Sequence, residues 1–257
     1  MRAVPPPRTW PASAVQAALV LQVCALTALT VFEQVRGERL AREIAMLGGD
    51  PHAPGAQALV GPVTAFAVLV ILVAATTVAA GAAHLVWLVR AGRYAAQATG
   101  ASGPRPSSGV PGGPLPDASP RPLPGASAAA VLAGWFTPGL NLIAPPVLVD
   151  RLWRSSRTPA DHRASWLALL AAWWLSWLAA LALLLRLFVS PAPGVADLTG
   201  IGPVELAAVT VSALLCGAVV RRITRIQTES VLHRVRPTAA STAPADAQAP
   251  GLAYQGF

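Results

Sequence analysis

Four histidines (His52, His84, His162, His233), two cysteines (Cys24, Cys216) and eleven carboxylates are the side chains of this 257-residue chain that could do chemistry. Their spacing supports no reaction. There is no H-E-x-x-H pair for zinc, no C-x-x-C for redox exchange, no glycine loop for phosphate and no G-x-S-x-G elbow for acyl transfer. The two cysteines lie far apart inside apolar runs, where a small buried hydrophobe is the ordinary reading and no disulfide framework exists. The sequence therefore offers no catalytic, cofactor-binding or metal-ligating residue. Three polar groups in or beside apolar sequence remain: His84, Asn141 and Asp150. Ionisable groups at membrane depth are functional candidates, but an enzyme built on these three is the least supported of the readings below. A neutral, hydrogen-bonded His84 near a membrane interface is the simpler expectation.

Composition says what must position them. Only 12% of residues are charged and 54% are hydrophobic, with a mean hydropathy of +0.54. A soluble domain carries about a quarter charged residues. The net charge is +8 and every basic residue is arginine. These arginines flank apolar runs, which points to membrane topology and anionic lipids rather than to nucleic acid.

Four runs have the length of a membrane-spanning helix, about 20 residues: 12–32, 58–89, 164–190 and 204–220. The first follows a basic, proline-rich start. It is long for a signal peptide and lacks a clear cleavage site, so it is expected to stay as a helix. Residues 33–47 continue it as a solvated helix with i,i+4 pairs Glu38–Arg42 and Arg39–Glu43, ended at Gly48. In the second run Gly61-Pro62 forms a break near the start. Ala75, Ala79 and Ala83 form a small-residue stripe suited to close helix approach. Trp166, Trp173 and Trp177 share a face of the third run and are expected to pack against other helices. Pro203 and Glu205 suit the first turn of the fourth. The expected organisation is a cytoplasmic N-terminus (1–11), a pair of spans (12–98), a disordered Pro/Gly/Ser linker (99–126), a broken hairpin with two further spans (127–236) and a disordered tail (237–257).

Residues 131–157 decide the topology. They are apolar, but Pro138-Gly139 interrupts them, and Pro145-Pro146 suits the first turn of a new, amphipathic helix over 146–156. In that helix Leu148, Leu152 and Trp153 oppose Asp150, Arg151 and Arg154. Backbone freed by the break needs partners, and Asn141 is placed to supply them as a cap or by bonding a free carbonyl. If the stretch enters and leaves on one face, four helices span, and fifteen arginines share a side against four; as a fifth span it divides them twelve to seven. The positive-inside rule prefers the first, with both termini cytoplasmic. The expected fold is thus an all-α polytopic membrane helix bundle: four transmembrane helices plus a Pro/Asn-broken re-entrant or interfacial hairpin, with five transmembrane helices as the alternative. Trp135, Pro138, Asn141, Pro145, Trp153 and Arg154 are the motif candidates. Arg90, Arg93, Arg221, Arg222 and Arg225 are the interfacial basic candidates.

The run GWFTPGLNLIAPPVLVDRLWRSSR (134–157) resembles the hallmark of a bacterial, largely actinobacterial, membrane family, domain of unknown function 4328. VWLVRAGRYAAQ (86–97), SWLALLAAWWLSW (165–177) and VVRRITRIQTE (219–229) extend the likeness over most of residues 15–230. The chain departs in its long 99–126 linker and in Tyr94-Ala95-Ala96, where a polar Asn is expected. The resemblance implies a multi-pass protein of the cell membrane and no activity. The leading functional reading is a non-enzymatic membrane platform that meets membrane lipids and a cytoplasmic protein partner. The alternative is a small-molecule or lipid transporter or channel lined by 134–146. The spans hold no central carboxylate and show no inverted repeat, which weighs against coupled transport.

Overall fold

A computed structural model describes residues 10–48, 54–100, 133–135, 137, 139–156, 163–189 and 198–240. Among these it is all helix and turn, without strands. Helix α1 (Trp10–Phe32) runs through a π-helical turn, Glu33–Gly37, into α2 (Glu38–Met46). Then come α3 (Ala56–Gly100), a 3-10 turn (Leu140–Leu142), α4 (Ala144–Ser155), α5 (Arg163–Val189) and α6 (Pro203–Ala240). Four segments are long and apolar enough to cross a membrane: Trp10–Met46, Ala56–Ala95, Arg163–Arg186 and Pro203–Glu229.

Among the described residues, the stretch proposed as a fifth span forms no helix of spanning length. Its longest helix, α4, has 12 residues, about 18 Å at 1.5 Å per residue, against the ~30 Å of a bilayer core. The described residues thus hold four helices of spanning length and a central segment broken into short pieces.

Helix α1 packs on α3 and α6, and α5 packs on α6. Polar side chains tie these contacts. Gln16 Nε2 donates to the Gly217 carbonyl at 3.0 Å, Gln22 Nε2 to Thr77 Oγ1 at 3.2 Å and Gln227 Nε2 to the Ala91 carbonyl at 3.4 Å. The outer surface stays apolar, with Leu21, Val68, Ile71 and Leu214 exposed, as a helix bundle facing hydrocarbon requires.

At one end of the bundle the core is completed by α4. Val149, Leu152 and Trp153 join Val15, Trp87, Leu88, Trp166, Leu170, Val219, Val220 and Ile223 in one cluster. The other end is held by Glu33, buried in the π turn. Its Oε1 accepts the Thr199 N–H at 2.6 Å, while Glu205 Oε2 accepts the Gly202 N–H at 2.9 Å and so caps α6. The expected Arg39–Glu43 and Arg42–Glu38 pairs form at 2.8 and 3.9 Å.

Several local expectations change. Pro62 lies inside α3 without ending it, and α3 continues well past residue 89. Of the expected small-residue stripe, Ala83 is half-buried against the core, whereas Ala75 and Ala79 are exposed; Ala80, His84, Trp87 and Ala91 are the buried positions of this face. Helix α6 runs on to Ala240, four residues into the expected tail. The 99–126 linker, apart from the last residues of α3, and residues 1–9 and 241–257 lie outside the described residues.

Candidate functional site

The motif residues assemble on α4 and the turn before it. Pro145 and Pro146 stand in the first turn of α4, as their fixed φ and missing N–H favour. Pro145 is fully buried. Gly139 has φ +84°, a backbone state that a side chain would strain. The broken backbone closes on itself: the Thr137 N–H donates to the Ala133 carbonyl and the Asn141 N–H to the Thr137 carbonyl, each at 3.0 Å. The helical turn at 133–135 sits tightly on α4, since a Cβ on Gly134 would lie 3.0 Å from that of Ala144.

Asp150 is the hub, and here the sequence expectation fails. It was placed on the solvent face of an amphipathic helix, yet it is buried. Its Oδ1 accepts the Trp166 Nε1–H at 3.1 Å, and its Oδ2 accepts Arg154 Nε–H at 2.7 Å together with Arg154 Nη2. Arg163 Nη2 stands 3.7 Å from the same oxygen. Buried carboxylates persist where they are paired and hydrogen-bonded. Trp153 stacks flat on Trp166, 5.5 Å between centroids at 5°, and the Arg163 guanidinium lies over Trp153 at 5.7 Å. Trp153 and Arg154, both named from sequence, are thus brought together. The partners Asp150, Trp166 and Arg163 were not foreseen as a group. The signal available was the i,i+4 spacing of Asp150 and Arg154.

Asn141 does not do what its position suggested. No side chain caps the 3-10 turn or α4, and Asn141 Oδ1 is buried without a partner among the described residues. The free carbonyl of Leu142 is instead taken by Trp174 Nε1–H at 3.1 Å. Trp174 lies off the tryptophan face read from the helical period. Trp135 is half-buried and turns toward the bundle interior, edge-on to His84 at 5.7 Å and to Trp177 at 6.3 Å. Pro138 lies outside the described residues.

The basic candidates lie at this same end. The Arg90 guanidinium sits over Trp10 at 4.4 Å, Arg222 Nη2 donates to Ser165 Oγ at 2.9 Å, and Arg225 pairs with Glu229 at 2.9 Å. Arg93, Arg151 and Arg221 are exposed. Among the side chains described, this end holds eight arginines against Asp150 and Glu229. The opposite end holds four (Arg36, Arg39, Arg42, Arg186) against Glu33, Glu38, Glu43 and Glu205. The excess charge is therefore confined to the α4 end.

The family model described as Domain of unknown function (DUF4328) matches residues 52–225, from just before α3 into the basic end of α6. The chain belongs to that family. No curated protein and no solved structure matches it. The DUF4328 match takes in the motif, the Asp150 hub and Arg90, Arg93, Arg221, Arg222 and Arg225; α1 and α2 lie outside it. No group of three or more histidines, cysteines or carboxylates suited to a metal occurs among the described residues.

Proposed function

We propose that this protein is a non-enzymatic integral membrane module whose arginine-rich end, closed by α4, engages the anionic headgroups of the cytoplasmic leaflet. One observation carries this reading: the charge excess lies at the α4 end, while the other end is balanced. The Asp150 hub, with Arg154 paired to it, pins α4 so that the exposed Arg151 stands on a fixed base. Each arginine near an anionic surface contributes about 1 kcal/mol of attraction. Positive-inside topology then sets this end, and with it both termini, in the cytoplasm of a cell membrane. Docking of a cytoplasmic protein on the same end would build on this lipid-bound state.

In detergent micelles, phosphatidylglycerol should raise the melting temperature by several degrees, as a ligand of the folded state does. Phosphatidylcholine should not. Replacing both Arg151 and Arg221, exposed and without partners among the described residues, by alanine should roughly halve the shift while leaving the lipid-free melting unchanged. An equal response to the two lipids, or an undiminished shift in the double variant, would overturn the proposal.

A further inference from the structure

Between α1, α3, α5 and α6 lies a cavity of about 360 Å³, well inside the membrane-spanning part of the bundle. Its walls are mostly aliphatic and aromatic. Its end nearest α4 is formed by His84, Trp135, Trp173 and Cys216. The rings of this cluster are in contact, with His84 5.5 Å from Trp87, 5.7 Å from Trp135 and 6.0 Å from Trp173. Cys216 Sγ stands 3.6 Å from His84 Nδ1.

Two nitrogens of the cluster, His84 Nε2 and Trp135 Nε1, are buried without a hydrogen-bond partner among the described residues. His84 is only 7% exposed. An unmade bond at such depth costs on the order of 1–3 kcal/mol per group, and native structures leave few. Both residues line the same cavity. Trp135 comes from the broken segment rather than from a spanning helix.

We infer that the cavity is a binding site for a neutral, mostly apolar molecule bearing one hydroxyl or carbonyl oxygen. That oxygen bonds His84 Nε2 and Trp135 Nε1, with Trp135 shifting to admit it. At protein packing density the cavity holds roughly a dozen non-hydrogen atoms, the size of a medium-chain alcohol or one end of a longer neutral lipid. A charged ligand is disfavoured, because no carboxylate or arginine among the described residues lines the wall to pair with it.

Three of the eight tryptophans, Trp135, Trp173 and Trp177, line the cavity, so a bromine-bearing probe reports its own binding by quenching. The test titrates 10-bromo-1-decanol and 1-bromodecane into the full chain in nanodiscs. The alcohol should give a saturable quenching component above the linear background of partition into lipid. The bromoalkane should bind about tenfold more weakly or worse, since it forgoes both hydrogen bonds. Gly81→Leu should abolish the saturable component. Gly81 lines the cavity, a Cβ there meets nothing within 4 Å, and leucine is the better helix former. His84→Phe should bring the alcohol down to the bromoalkane; should that variant not fold, Trp135→Phe, which keeps a ring and removes the N–H, should do so in part. Absence of a saturable component, its survival in Gly81→Leu, or equal binding of the two probes to the unsubstituted chain would overturn the inference.

Discussion

Trp166→Ala should destabilise the folded chain by about 3–4 kcal/mol, measured by sodium dodecyl sulfate titration in mixed micelles. Trp166 is fully buried at the start of α5, and truncating such a side chain costs about 3–5 kcal/mol when the site cannot collapse. Collapse is hindered here because Trp153 stacks against the lost ring from α4. The change also strips Asp150 Oδ1 of its donor. Trp166→Phe separates the two parts. It keeps most of the stacked area and loses the indole N–H, so it should cost about 1–2 kcal/mol. Equal losses for alanine and phenylalanine would show that the hydrogen bond, not the packing, holds α4 in place.

Asp150→Ala should cost about 2–3 kcal/mol in the same titration, and Asp150→Asn distinctly less. The larger part comes from the indole, since a buried Trp166 N–H left without an acceptor keeps its full desolvation cost. The arginines contribute less. The side chains of Arg154 and Arg163 are 60% and 40% exposed, and both can turn to water when the carboxylate goes. Combining Asp150→Ala with Trp166→Phe should therefore cost about 1 kcal/mol less than the sum of the two. Strict additivity would mean that the pair does not interact in solution.

The spans were readable in the sequence because their signal is local. Uncharged runs of about 20 residues ended by arginine become helices wherever lipid is the solvent. Pro203 with Glu205, and the Arg39–Glu43 pair, were readable for the same reason, as each depends on neighbours within one turn. The hub was not. Asp150 looked solvated because its spacing matched the polar face of α4, and only the arrival of Trp166, sixteen residues later, draws it inside. Asn141 failed in the opposite sense. A lone amide beside a break suggests a cap, but Trp174 reached the free carbonyl first. The cavity is built from side chains of four helices and one turn, and no periodicity within a single segment encodes it.

A four-span bundle requires the central segment to return to the side from which it came, and cysteine labelling tests that most directly. In a background with Cys24 and Cys216 replaced, single substitutions Ser108→Cys, Ser156→Cys and Met46→Cys would be exposed on intact cells to an impermeant thiol reagent. Met46 lies at the opposite end of the bundle and is 79% exposed. Labelling at position 46 alone, with 108 and 156 protected until the membrane is opened, is the expected result. Labelling of only one of positions 108 and 156 in intact cells would mean that the chain crosses the membrane between them, and would contradict the four-span bundle with its arginine-rich end in the cytoplasm.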